Sequence, residues 1–128
     1  MRLHFHHVAL IVKDYEASKA FYCDVWGLEV LADNFREDLF LWMWGPALAA
    51  GGRRDIFSFP DPPARPSRPE ACGLRHLAFR VEDIDAALLE LEAKRVEVEP
   101  VRIDPYTQAR FTFFKDPDGL PLELYELS

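Results

Sequence analysis

An internal repeat covering about half the chain sets the limits on how this sequence can fold. Residues 7–17 (HVALIVKDYEA) match residues 76–86 (HLAFRVEDIDA) at an offset of 69, with five identical positions. Unrelated segments of this length would share roughly one position by chance. The identical positions are His7/His76, Ala9/Ala78, Val12/Val81, Asp14/Asp83 and Ala17/Ala86. The sequence therefore predicts two copies of one structural unit.

Each copy begins with the pattern of a strand followed by a helix. Residues 5–12 and 74–81 are apolar and β-prone, with side chains that alternate between two faces. Asp14 and Asp83 then stand at helix N-cap positions, because a short carboxylate accepts hydrogen bonds from the first free amides of a helix. We expect the first helix to stop near Gly27. The predicted buried positions are Ala17, Ala20, Phe21 and Val25 in the first helix and Ile84, Ala87, Leu88 and Leu91 in the second.

Three further strands are predicted after each helix. Residues 116–119 (DPDG) form a predicted turn before the last of them. The fold class is therefore α+β, with two tandem βαβββ modules that form a cupped, mostly antiparallel sheet. The predicted strands cover residues 28–32, 39–44 and 55–59 in the first copy and 96–101, 110–114 and 122–127 in the second.

A proline-rich segment separates the two copies. Residues 60–69 hold five of the ten prolines of the chain. Prolines favour extended geometry and lack the amide that a strand ladder needs. We expect a first module at residues 1–60, a stiff connector at residues 61–73 and a second module at residues 74–128, which together make one domain.

The charge balance excludes two kinds of partner. The 128 residues include 15 basic and 22 acidic ones, a formal net charge of −7, and Arg53 with Arg54 form a local basic cluster of only two residues. Nucleic acids and anionic membranes both require a basic surface, and no apolar stretch approaches the roughly 20 residues of a membrane span. Cys23 and Cys72 lack the spacing of a disulfide scaffold or a thiolate metal site. We expect a cytoplasmic protein with reduced thiols.

Polar residues at repeated strand positions carry the predicted chemistry. His7 and His76 lie on the first strands, and Asp55 and Glu123 lie on the last strands, 48 and 47 residues further along. A pseudo-twofold arrangement of the modules would bring these four side chains to one place. Two imidazoles and two carboxylates suit a divalent ion of zinc, nickel, cobalt, manganese or iron. The sequence therefore predicts a metal site inside the sheet.

Small residues lie beside the predicted metal ligands. Ala9 and Ala78 share the faces of the two histidines, because alternate side chains of a strand lie on one face. They leave room for water or substrate, and open positions are what a catalytic metal needs. His4 and His6 have no counterpart in the second copy and are predicted to be ordinary surface or packing residues.

These motifs resemble those of the vicinal oxygen chelate superfamily, which contains glyoxalases, bleomycin-resistance proteins and dioxygenases. The likeness covers essentially the whole chain and rests on HHVALIV at residues 6–12, DPDG at residues 116–119 and LELY at residues 122–125. Within the superfamily, the chain resembles a bacterial glyoxalase-I-like subfamily. The resemblance implies a metal-dependent lyase, similar to lactoylglutathione lyase, that isomerises a small thiol–aldehyde adduct.

The resemblance also implies roles for individual residues. His7, Asp55, His76 and Glu123 fall where glyoxalase I holds its metal ligands, with Glu123 as the better candidate base and Asp55 as a second catalytic carboxylate. Asp55 stands where glyoxalase I generally has glutamate or glutamine, so its side chain reaches less far. Without it, the other three would form a site of two histidines and one carboxylate. Glutathione or another anionic thiol would need cations at the rim, and the candidates are Arg80, Arg110 and Lys115.

Other functions stay open at this stage. One is a thiol transferase that opens an epoxide, or a dioxygenase, of the same superfamily. Another is a non-enzymatic protein that binds a small molecule such as an antibiotic. The superfamily also implies a homodimer, with the site inside one chain or between two. We expect the choice of substrate to depend on the loops at residues 35–38 and 47–52.

Overall fold

The chain folds into two units, Met1–Ala64 and Arg65–Ser128. The predicted connector, residues 61–73, is therefore shared between them, and its larger part belongs to the second unit. This is a computed structural model, which describes residues 1–35, 39–44 and 53–127, with side chains for residues 1–30 and 54–127.

The first unit has a helix layered on a mixed sheet. Its elements are β1 (His7–Val12), α1 (Tyr15–Ala20) continued by a π-helical segment (Phe21–Val25), β2 (Glu29–Phe35), β3 (Leu39–Trp44) and β4 (Arg53–Ser58). The strand order is β1-β4-β3-β2. β1 and β4 are parallel, whereas the other neighbours are antiparallel.

The second unit repeats this topology. Its elements are β5 (Leu77–Val81), α2 (Ile84–Ala93), β6 (Arg102–Ile103), β7 (Arg110–Lys115) and β8 (Pro121–Glu126). The strand order is β5-β8-β7-β6, with the first and last strands of the unit again side by side and parallel. The α+β class and the tandem βαβββ order are confirmed.

Both helices begin at the predicted N-caps. Asp14 and Asp83 accept hydrogen bonds from the amides of the third residue beyond each of them, both at 3.0 Å. Each helix is followed by a residue in the left-handed region, Gly27 with φ of 64° and Arg95 with φ of 59°. This conformation turns the chain out of the helix so that free carbonyls find new partners. The predicted stop near Gly27 is confirmed.

The buried face of the first helix differs from the prediction. Tyr15, Ser18 and Tyr22 are buried, whereas Ala17 and Ala20 are exposed. A tyrosine ring removes far more apolar surface from water than an alanine methyl does, so the face carrying two tyrosines turns inward. In the second helix Ile84 and Leu91 are buried and the two other predicted positions are half-buried, as expected.

The predicted strand at residues 96–101 is wrong. Val98 makes an isolated bridge to Phe114, and ladder pairing resumes only at β6, where Arg102 lies opposite Phe111. Pro100 lies between these two stretches and has no amide hydrogen to donate. The sheet edge is therefore interrupted there, and β6 is short.

The two faces of each sheet have different uses. Leu10, Val12 and Ile56 are buried on the helix side of the first sheet, and Leu122 and Leu124 are buried on the helix side of the second. Because strand side chains alternate, the residues between them point to the other face, which carries the predicted ligands.

Two further expectations concern other parts of the chain. Most of the two predicted specificity loops, at residues 36–38 and 47–52, lies outside the described residues. In the described part of the chain, every helix is too short or too polar to cross a membrane.

Candidate metal centre

The first unit places a histidine and a carboxylate together on the open face of its sheet. In the parallel ladder Ala9 lies opposite Asp55, and His7 lies two residues before Ala9 on the same face. His7 Nε2 and Asp55 Oδ2 are 3.7 Å apart, longer than a hydrogen bond. Ala9 is exposed, and it adds only a methyl group to the face that carries the two side chains.

The second unit contains the same arrangement. Ala78 lies opposite Glu123, and His76 lies two residues before Ala78. His76 Nε2 and Glu123 Oε2 are 3.0 Å apart, and Ala78 is exposed. The longer glutamate side chain accounts for the shorter separation. The repeat in sequence is therefore also a repeat in side-chain geometry.

The histidine–carboxylate pair of each unit is chemically suited to bind a divalent metal. In each pair a ring nitrogen faces a carboxylate oxygen, the ligand types that zinc, nickel, manganese and iron accept. The carboxylate side chains are nearly buried, with 4% and 12% exposed, whereas the histidines stay open at 40% and 31%. Among the described residues, neither unit holds three or more His, Cys, Asp or Glu side chains that could bind an ion alone.

His6 has a contact that the sequence did not predict. Its Nδ1 lies 2.7 Å from Nδ1 of His7, and the two rings meet edge to face. If His7 donates in this hydrogen bond, its Nε2 keeps the lone pair that a metal needs. Outer-shell partners of this kind fix the tautomer and the ring orientation of metal-binding histidines. The adjacent pair of histidines in the sequence could have suggested this contact. His6 was not selected, because the second copy has no histidine at the equivalent position.

The second pair has an aromatic neighbour and a cation behind it. Phe113 lies opposite Glu123 in the ladder and meets the His76 ring edge to face, with centroids 5.2 Å apart. The Arg102 guanidinium lies over the rings of Phe111 and Phe113, at 5.0 and 5.4 Å. Arg102 could not be identified from the sequence, because its position depends on the interrupted edge at β6.

The three predicted rim cations lie in different places. Arg80 is exposed on the face of His76 and Ala78, and Lys115 is exposed two residues after Phe113. Arg110 lies on the helix side instead. Its guanidinium makes two hydrogen bonds of 2.8 Å to Glu126 and one of 3.0 Å to Asp85 at the start of α2.

The Arg110 cluster joins α2 to the sheet. Glu126 also accepts a hydrogen bond of 2.9 Å from the Ile84 amide. The hydrogen bonds from Arg110, followed by that from Ile84, lower the pKa of Glu126 to about 2. The same contacts with Glu126 and then Asp85 raise the pKa of Arg110. These charges therefore satisfy one another within the fold.

A second polar cluster lies near the end of β8. Asp104 accepts hydrogen bonds from the Tyr106 amide at 2.8 Å and from the Tyr125 hydroxyl at 3.0 Å, and the Tyr106 contact contributes most to lowering the pKa of Asp104. Tyr125 also hydrogen-bonds Thr107. Because Tyr125 lies on the same face of β8 as Glu123, these hydrogen bonds hold in place a side chain that neighbours Glu123.

The two cysteines are free thiols. Cys23 is half-buried and Cys72 is exposed. Burial, and then the nearby negative charge of Asp24, raises the pKa of Cys23. Cys23 is therefore mainly protonated at neutral pH, which lowers its reactivity.

Comparisons with known proteins identify the family of the chain. The model of the Glyoxalase/Bleomycin resistance protein/Dioxygenase superfamily matches residues 4–124. The uncharacterized protein YaeR of Escherichia coli is 60% identical over 121 residues, 94% of each chain. A manganese-dependent 2,3-dihydroxybiphenyl 1,2-dioxygenase of Geobacillus genomosp. 3 is 29% identical, over 94% of this chain and 36% of its own.

A solved structure extends the likeness to the fold. The glyoxalase family protein from Enterococcus faecalis has a TM-score of 0.87 to this chain and 46% sequence identity, covering 96% of this chain and 97% of that chain. The chain therefore belongs to the Glyoxalase/Bleomycin resistance protein/Dioxygenase superfamily, as the resemblance of its motifs predicted.

Proposed function

We propose that His7, Asp55, His76 and Glu123 together bind one divalent metal ion, and that the chain is a metal-dependent lyase or isomerase of the glyoxalase I type. One observation carries the proposal: both repeats place a histidine Nε2 toward a carboxylate oxygen beside an exposed alanine. Neither pair is a complete site. Two pairs would supply two nitrogens and two carboxylates, which balance the charge of the ion.

When bound by these residues, a divalent ion would supply Lewis acidity toward the oxygens of a chelating substrate. Imidazole and carboxylate ligands accept zinc, nickel, cobalt, manganese or iron. The manganese dependence of the dioxygenase relative supports a divalent ion in this fold. A bound metal would also explain why the open face of each sheet carries a nearly buried carboxylate.

Glu123 is the proposed base. Its carboxylate is nearly buried yet lies next to the open face over Ala78, so it can reach a substrate carbon while bulk water is partly excluded. There it would take a proton from one carbon of a thiol–aldehyde adduct and return it to the adjacent carbon. Asp55 is more buried and is the proposed second carboxylate. Glutathione is the proposed thiol, because Arg80 and Lys115 lie on the same face as the second pair.

Metal content and turnover test the proposal together. Protein purified without a chelator or a histidine tag should contain a divalent metal, and reloaded protein should convert methylglyoxal with glutathione to lactoylglutathione. His76→Ala should lose both properties, whereas His4→Ala should keep both. Metal without turnover would refute the glyoxalase reaction, and protein that binds no divalent ion would indicate a non-enzymatic binding module.

A second candidate is a dioxygenase that uses two histidines and one carboxylate. The separation of 3.7 Å at Asp55, against 3.0 Å at Glu123, favours it, because the shorter side chain is the ligand most easily lost. Such a triad suits oxygen chemistry at iron or manganese. Oxygen consumption with catechols in the manganese-loaded or iron-loaded protein would support it. Retention of full metal affinity in Asp55→Ala would favour it over the four-ligand site.

We propose further that the working form is a homodimer. We also propose that it lies in the cytoplasm, since the free cysteines suit a reducing compartment. Mixing two variants assigns the ligand pairs to chains. If each site draws its pairs from two chains, mixed dimers of His7→Ala and His76→Ala contain one intact site, and metal binding returns. If each site lies within one chain, every site in the mixture has lost a ligand.

A further inference from the structure

A basic pocket lies in the second unit beside the His76–Glu123 pair. Its volume is about 540 Å³, and most of its lining comes from residues 65–68 and 70–76 and from parts of β6 and β7. His76 and Phe113 belong to its wall. The basic side chains that line it are Arg65, Arg68, Arg75, Arg102 and Lys115.

The pocket carries an excess of positive charge. Its two acidic residues are already engaged, Glu70 with Arg75 at 3.0 Å and Glu99 with Arg102 at 3.2 Å. Arg68 and Lys115 have no ion-pair partner in the described part of the chain. Such an excess is notable in a protein of net charge −7, because most of its surface repels anions.

Two of the arginines are held in fixed positions. Arg65 donates hydrogen bonds to Ser67 Oγ and to the backbone carbonyls of Leu74 and Arg75, at 2.7 to 3.2 Å. Arg102 lies against two phenylalanine rings. A guanidinium held in this way presents its remaining donors with little loss of side-chain entropy on binding. The pocket is therefore formed before any ligand arrives.

We infer that this pocket binds an oxyanion group of the substrate, a carboxylate or a phosphate, while the chelating end of the same molecule reaches His76. The charge and the preformed guanidinium groups select planar or tetrahedral oxyanions, which arginines bind through parallel N–H donors. The link to a chelating end rests on the proposed function. The oxyanion site itself does not, because every residue that forms it lies in the second unit.

Calorimetric titration with inorganic phosphate and with malonate, at constant ionic strength, tests the inference. We expect Arg68→Ala/Lys115→Ala to weaken the tighter-binding anion by about tenfold or more, since hydrogen bonds to charged groups are among the strongest in proteins. Lys94→Ala, which removes a positive charge at the end of α2, should change the affinity by less than about twofold. Amide signals of residues 65–75 should shift on titration.

The two anions separate the possible ligand groups. Tighter phosphate binding would assign a phosphate or phosphonate, and tighter malonate binding would assign a carboxylate. Binding must persist in His7→Ala, so failure of the proposed metal site leaves the result intact. The inference is overturned if neither anion binds, or if the double variant and Lys94→Ala lose affinity equally.

Discussion

The two carboxylates occupy equivalent positions but differ by one methylene group. Asp55 Oδ2 lies 3.7 Å from His7 Nε2, whereas Glu123 Oε2 lies 3.0 Å from His76 Nε2. A metal shared by all four would need Asp55 to come closer or to act through water. The structure therefore makes Asp55 the weakest member of the proposed ligand set.

Lengthening Asp55 should strengthen metal binding. Asp55→Glu makes the first pair equivalent to the second, and exposed Ala9 opposite leaves space for the extra methylene. We expect a higher metal affinity by calorimetry, and a lower one for Asp55→Ala. The matched change Glu123→Asp should weaken binding. Equal affinities in all of these variants would show that neither carboxylate is a ligand.

His6 should matter for metal affinity although it is not a ligand. Loss of an outer-shell partner typically lowers metal affinity by roughly 10–100-fold, and His6→Ala removes the contact to His7 Nδ1. His6→Gln keeps an acceptor and should recover part of the affinity. His4→Ala is the control, because both residues are exposed histidines near the same strand. A loss of affinity in His4→Ala as large as in His6→Ala would argue against a specific contact.

Individual residues show what the sequence could predict. The four polar repeat positions were identifiable because they recur in both copies. The five basic residues of the pocket were not, since they are scattered from Arg65 to Lys115 and meet only after folding. In the adjacent basic pair Arg53–Arg54, Arg54 is buried against the rings of Tyr22 and Trp26, so this pair is not an exposed basic cluster.

At the level of elements, the ends of the helices are a direct test of the fold. Val96 N donates to Leu91 O at 2.9 Å and Arg95 N donates to Glu92 O at 2.9 Å, with Arg95 in the left-handed region. Glycine takes this conformation without strain. Arg95→Gly should therefore raise the free energy of unfolding by about 1 kcal/mol, measured by urea denaturation. Glu90→Gly, inside the helix, should lower it by about the same amount. A destabilised Arg95→Gly would contradict this helix end.

The contact between α2 and β8 predicts a pH dependence. The pKa of Glu126 is about 2, below its ordinary value of 4.5, so its ionised form stabilises the fold above pH 4.5. That stabilisation is lost as the pH falls toward 2. Glu126→Gln should therefore have a lower Tm than the unmodified protein at pH 7, with the difference closing between pH 4.5 and 2. Glu90→Gln, an exposed change in α2, should show little difference at any pH. A gap for Glu126→Gln that is constant down to pH 2 would contradict the assignment.

Elements with strong local signals were predictable, and those set by tertiary contacts were not. Both N-caps follow from an aspartate after an alternating strand. The buried face of the first helix could not be predicted in this way. Either the tyrosine face or the alanine face can pack on the sheet, and the choice depends on tertiary contacts. The strand expected at residues 96–101 does not form, because Pro100 has no amide hydrogen to donate and the ladder is interrupted there.

For the whole molecule, the repeat explains both the fold and the site. Duplication of one βαβββ unit gives two similar sheets and two similar histidine–carboxylate pairs. If each pair is half of the proposed metal site, function depends on both units. The sequence predicts such cooperation, since each copy carries one histidine and one carboxylate at the repeated positions. The sequence could not predict whether the two histidine–carboxylate pairs of one site come from the same chain or from two chains, because equivalent units can combine in either way.

The most direct test of a shared metal site is a metal titration by calorimetry of the unmodified protein, His7→Ala and His76→Ala. We predict one ion per chain, and a loss of affinity in both variants beyond the roughly 10–100-fold expected for an outer-shell residue. The two histidines lie in different units, so equal sensitivity requires that both units contribute to one ion. Two ions per chain, or full affinity retained in either variant, would contradict the account.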